Sequence, residues 1–234
     1  MCTAITYKTD ANYFGRNFDY DISYSEKVVI TPRNFKFKFR KEGTLKTHYA
    51  FIGVAAVIEN YPLYYDATNE KGLSVAGLNF PKNAFYNDFI EGKINISPFE
   101  LIPWLLGSFA TVEEARESLE NLNLVNINFN EQLPLSPLHW MISDKDESIV
   151  VESVSQFFHI LGSVEQQNGL CDLGNGKYEK TIYSSCCNID EGIYYYKTYN
   201  NSQINAVDMK KENLDGSNLY IYPLINEQNI NLVN

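Results

Sequence analysis

Positive charge is scarce in this sequence: 19 Lys and Arg stand against 29 Asp and Glu, leaving a net charge of −10. With no basic stripe to neutralise phosphates, nucleic acid is not an expected partner. Long hydrophobic runs are absent too, and no basic segment followed by an apolar one opens the chain. Neither a membrane span nor a secretory leader is expected, which assigns the protein to the cytoplasm. Cysteine is sparse. Cys2, Cys171, Cys186 and Cys187 have the spacing of neither a disulfide framework nor a metal site. The three histidines, His48, His139 and His159, include no pair at ligand spacing, so the sequence calls for no metal and no organic cofactor.

What is abundant is aromatic. The chain holds 17 Tyr and 14 Phe, residues that suit strands and also suit a pocket for a bulky apolar ligand. A period of two dominates the first half. Thr3, Ile5 and Tyr7 alternate with Cys2, Ala4 and Thr6, and residues 12–19 form a second strand folded back through Thr-Asp-Ala-Asn. Val28, Ile30, Phe35, Phe37 and Phe39 continue the alternation, Phe51 to Ile58 reads as a buried strand, and 63–69 with 73–80 flank a Glu-Lys-Gly turn. Then the period lengthens. Ser97-Pro98-Phe99-Glu100 is a capping box that starts a helix, which Pro103 should kink. Thr111 to Glu114 is a second box, followed by an apolar face of Val112, Ala115, Leu119 and Leu122. Strands return at 138–143 and 148–152, a helix is expected over 156–166, and three more strands at 181–187, 192–199 and 203–209. Strand blocks around a helical block predict stacked sheets covered by helices in a single domain, 1–234.

A cysteine at position 2 becomes the amino terminus once Met1 is removed. It then carries a nucleophile and a free α-amine, whose ordinary pKa of about 7.7–8.0 makes it a base at neutral pH. By position alone it is more often a small strand residue. As a nucleophile it needs three aids: the amine as base, a cation to favour the thiolate, and donors for the oxyanion. Arg16 and Asp19 lie on the strand predicted to pair with that of Cys2. The guanidinium could reach the sulfur and the carboxylate the α-ammonium.

The stretches NYFGRNFDYDISY, ITPRNFKF, NYPLYYDATNEKGLSVAGLNFP, SPFELIPWLLG, LPLSPLHWMISD and SIVVES resemble the choloylglycine hydrolase family. This is a branch of the N-terminal-nucleophile hydrolases that contains bile salt hydrolases and penicillin V acylases. SQFFHILGSVEQQNGLCD, KTIYSSCCN, GIYYYKTY and QINAVDM resemble the family's C-terminal part. The resemblance implies an α+β fold, the αββα sandwich. It implies Cys2 as nucleophile, Arg16 and Asp19 as its helpers, and Asn79 on the oxyanion side. Asparagine at 79 resembles the bile-salt branch, whereas the penicillin branch tends to tyrosine. The implied substrates are glycine- or taurine-conjugated bile salts, with no cofactor. Tyr20, Ile22, Tyr24, Tyr61, Tyr65, Leu133 and Leu135 are the candidates for holding the steroid.

Near residues 153–156 the resemblance breaks. Roughly ninety residues of the family pattern are missing there, so the sandwich is expected to lack some core strands and to leave an unpaired edge. With them go an Asn-Asn-Pro segment that supplies a site asparagine and a Ser-Arg-Phe segment that supplies an arginine; no arginine follows Arg116. Also lost is a projecting hairpin associated with tetramer assembly, which counts against the family's homo-oligomer. Several readings stay open: a bile salt hydrolase with full or reduced turnover, a relative that binds amphipathic steroids without turnover, and a penicillin V acylase-like amidase. The poorest is a Cys-His hydrolase built on Cys171 with His139 or His159, since no helix-start motif surrounds Cys171.

Overall fold

The computed structural model of the chain describes residues 2–81, 84–151, 171–174 and 177–228. The alternating N-terminal segment forms an antiparallel hairpin, β1 (Thr3–Lys8) with β2 (Asn12–Tyr20), which sets Ala4 opposite Arg16. After β3 (Lys27–Thr31) come the two-residue strands β4 (Phe37–Lys38) and β5 (Thr44–Leu45), paired with each other. The apolar run is β6 (Phe51–Ile58), followed by β7 (Tyr61–Asn69) and β8 (Ser74–Asn79). The turn between the last two is built by Asn69, whose Oδ1 accepts from the Lys71 and Leu73 amides, and by Gly72 at φ +94°.

β9 (Ile94–Ile96) leads through a 3-10 turn at Pro98–Glu100 into α1 (Leu101–Ser108); α2 (Val112–Leu119) then leads into β10 (Leu122–Leu124), parallel to β9. The first box closes through Glu100, whose carboxylate accepts from the Ser97 amide, and the second through Thr111, whose hydroxyl accepts from the Glu114 amide. Pro103 is the third residue of α1. Leu122 belongs to β10 rather than to the α2 face, because the helix ends at Leu119. β11 (Leu138–Ser143) and β12 (Ser148–Val151) form a hairpin. The helix expected over 156–166 lies outside the described residues. The chain closes with β13 (Cys171–Gly174), β14 (Lys177–Asn188), β15 (Ile193–Thr198), β16 (Asn201–Asp208) and β17 (Tyr220–Pro223).

Two sheets result. One runs β1-β2-β14-β15-β16, with β13 also on β14; the other runs β12-β11-β8-β7-β6-β3-β17. Alternation along each strand divides the core in two. Val28, Ile30, Ile52, Val54 and Ala76 face Ala4, Phe14, Phe18, Tyr194 and Cys187 between the sheets. Val29, Phe51, Ala67, Val75 and Trp140 face outward, against Leu101, Leu105, Val112 and Ala115 of the two helices. Phe35 and Phe39 are buried in this outer layer beside Phe37, although the alternation there yields only the short β4. Their rings pack around Phe37, at 4.9 and 6.2 Å between centroids, and ring packing fixes them without a longer ladder.

Candidate active site

Cys2 directly precedes β1 and is half-buried, with its Sγ 3.7 Å from the Asp19 carbonyl oxygen. The register that sets Ala4 opposite Arg16 carries Arg16 and Phe18 to the face between the sheets. Asp19, next along the strand, is buried as well, and its Oδ1 accepts from the Thr181 hydroxyl at 2.6 Å. Burial pushes the Asp19 carboxyl upward, while that hydroxyl and the positive amino terminus pull it back.

Arg16 is only 3% exposed. Its Nη1 donates to the Tyr65 carbonyl at 3.0 Å and the Gly77 carbonyl at 2.8 Å, and the guanidinium lies 5.0 Å from the Phe18 ring centroid. Nε and Nη2 are buried and have no acceptor among the described residues. Burial favours the neutral form, but Tyr183, Cys2, Asp66 and Tyr194 outweigh it and hold the pKa above its ordinary value. A charged arginine in this interior, with two donors unused, is suited to an anion formed beside it.

A cleft of about 500 Å³ opens at Cys2. Tyr20, Tyr24 and Tyr65 form one wall, Leu133 and Leu135 another, and Asn79, at the end of β8 opposite Leu138, lies on its lining. The Tyr20 and Tyr24 rings are 5.8 Å apart, and burial with a hydrogen bond to Tyr24 pushes the Tyr20 hydroxyl up to about 12. Two candidates are elsewhere. Ile22 is 47% exposed and absent from the lining. Tyr61 packs among Phe37, Phe99 and Phe129 in the outer layer, on the far side of a ladder irregularity between Val54 and Ala55 that separates it from Tyr65. The sequence reading missed Phe99, Phe129 and Trp140 as lining residues. Only proximity across two loops could have found them. It also missed Asp66, a buried carboxylate between the sheets. Its polarity inside an apolar β7 was the available signal. Among the described residues, no group of three or more His, Cys, Asp or Glu is placed to hold a metal ion. No described helix is long and apolar enough to cross a membrane.

Two stacked sheets with a cysteine at the second position beside a buried arginine define a sandwich of the N-terminal-nucleophile hydrolase type. Comparison with solved structures supports this. A cysteine-to-alanine mutant of the conjugated bile acid hydrolase from Clostridium perfringens superposes with a TM-score of 0.88, at 30% identity and 100% coverage of both chains. Penicillin V acylase from Agrobacterium tumefaciens shares the fold at a TM-score of 0.73 and 15% identity, over 94% of this chain and 90% of that one. The family model for linear amide C–N hydrolases, choloylglycine hydrolase family, matches residues 2–156 and 152–222. The chain belongs to that family. It is 46% identical to a bile salt hydrolase/transferase from Lactiplantibacillus plantarum, with both chains covered completely. That alignment runs over 324 positions against 234 residues, so 90 positions face no residue of this chain.

Proposed function

We propose that this chain hydrolyses the amide bond of glycine- or taurine-conjugated bile salts, with Cys2 as nucleophile. The observation that carries the reading is Cys2 on the lining of an aromatic cleft, its sulfur among the groups that hold a buried guanidinium charged, with Nε and Nη2 of that guanidinium unused among the described residues. Relatives named as bile salt and conjugated bile acid hydrolases support the choice of substrate. With Met1 removed, the Cys2 α-amine takes the thiol proton and the thiolate attacks the amide carbonyl. Arg16 stabilises the thiolate through Nε and Nη2, Asp19 holds the α-ammonium, and Asn79 donates to the oxyanion. Collapse of the tetrahedral intermediate breaks the C–N bond, and the ammonium passes its proton to the departing glycine or taurine nitrogen. Water then attacks the thioester, which releases the bile acid and restores the thiol. Tyr20, Tyr24, Tyr65, Leu133 and Leu135 hold the steroid. Cys2, Cys186 and Cys187 are free, which suits the reducing cytoplasm of a bacterial cell.

We further infer that turnover is reduced by an internal shortening at about 153–156. Two matched stretches meeting at 152–156, the 90 unmatched positions and the absence of any arginine after Arg116 support this. The test is release of glycine and taurine from conjugated bile salts by the wild type, Cys2→Ser and Cys171→Ala. Cys2→Ser should abolish release, since a hydroxyl lacks the acidity and nucleophilicity of the thiol, while Cys171→Ala should leave it nearly unchanged. Equal loss from both would move the active site elsewhere. Steroid binding with no amine released would make the chain a binding relative.

A further inference from the structure

Asp66 lies between the two sheets, 2% exposed, on the strand next to the carbonyl that Arg16 grips. Its carboxylate reaches across to the sheet that carries Arg16. There it accepts from the Tyr194 hydroxyl at 2.5 and 2.8 Å, from the Ser185 hydroxyl at 3.1 Å and from the Tyr183 hydroxyl at 3.4 Å. The Val54 amide donates from the other side at 3.4 Å. Ser185 is itself the ladder partner of Arg16. A carboxylate surrounded by donors in a closed interior is an acceptor-only group, and Arg16 brings a positive charge to the same layer, bound to the carbonyl of the preceding residue, Tyr65. The mechanism above makes no use of it.

We propose that Asp66 is a positioning residue that shares the charge of Arg16 with Cys2, holding the guanidinium in the interior and keeping the thiolate from becoming its only counter-ion. This rests on the reading of Cys2 as nucleophile. A thiolate that alone balanced a buried arginine would form readily but attack weakly, because nucleophilicity falls with basicity. A second carboxylate behind the guanidinium restores that basicity. Burial raises the Asp66 carboxyl and Arg16 draws it back. The other titratable groups facing this cluster are Tyr183 and Cys187 from β14 and Tyr194 from β15, with Tyr65 from β7, Asp19 and Tyr20 on the Cys2 side. Burial holds all three of the first group in their neutral forms.

The experiment is the pH dependence of Cys2 alkylation by iodoacetamide, read from the mass of the Cys2 peptide. In Asp66→Asn the half-maximal pH should fall by about one unit, since removing a neighbouring negative charge favours the thiolate. Tyr194→Phe strips a hydroxyl that neutralises part of the carboxylate's charge, and should move the midpoint upward. Ile52→Ala, a cavity in the same layer, should lower Tm and leave the midpoint in place, which separates charge sharing from structural support. An unchanged midpoint in Asp66→Asn overturns the proposal. So does an unchanged midpoint in Tyr194→Phe, should Asp66→Asn not fold. Alkylation needs no turnover, so a wild type that releases no amine would defeat the proposed function without touching this result.

Discussion

Replacing Arg16 with leucine tests whether the interior between the sheets depends on that one charge. Leucine cannot donate, so the carbonyls of Tyr65 and Gly77 lose their Nη1 partner in a region closed to water. Each buried acceptor left without a partner costs about 1–3 kcal/mol. Asp66 also loses the cation that draws its carboxyl back towards ionisation, a cost it escapes by protonating. The two carbonyls together set an expected loss of about 2–6 kcal/mol. For a chain of this size that is a fall in Tm of roughly 10 °C. The pH dependence has a definite sign. Asp66 has a folded pKa raised above its unfolded value, so its contribution is most favourable below the unfolded pKa and declines as pH rises through the folded one. Without Arg16 that folded pKa climbs further. The stability deficit of Arg16→Leu should therefore be smallest near pH 5 and grow towards pH 8. Urea unfolding at both pH values measures it. A deficit below about 1 kcal/mol, the scale of a solvated surface pair, or one that shrinks as pH rises, would refute the reasoning.

Three further outcomes are expected. Intact-mass measurement should find a chain beginning at Cys2, since a retained Met1 acylates the amine on which the proposed proton transfer depends. Gly53→Ala should abolish or severely impair folding, because an added Cβ would lie 1.9 Å from the Asp66 carbonyl oxygen; soluble expression and circular dichroism check this. Thr111→Ala should lower Tm by only a few degrees, through loss of the N-cap bond to the Glu114 amide at about 1 kcal/mol.

Much of the site was legible because it is local. A period of two and a short turn were enough to fold residues 12–19 onto the strand of Cys2, and the register then carried Arg16 to the face between the sheets. The capping boxes located both helices for the same reason, since each is written within four residues. What failed was non-local. Tyr61 and Tyr65 have the same chemistry on one strand, yet a ladder irregularity between Val54 and Ala55 separates them, and only Tyr65 lines the cleft. Asp66 escaped because its partners Tyr183, Ser185 and Tyr194 lie more than a hundred residues away. The pairing of β2 with β1 follows from strand alternation, but the contact that receives Asp19, Thr181, comes from β14.

The central claim is that Cys2 and its cleft cleave conjugated bile salts despite the 90 alignment positions the chain does not fill. The direct measurement is amine release from glycocholate and taurocholate, run beside a full-length relative at equal enzyme concentration. Losing one oxyanion donor slows such reactions by about 10²–10³, and loosening the scaffold around the nucleophile lowers the rate further. The account predicts release that depends on Cys2 and runs at least about a hundredfold below the relative. Turnover equal to that of the relative would contradict the predicted impairment, and release that persists in Cys2→Ser would contradict the mechanism itself.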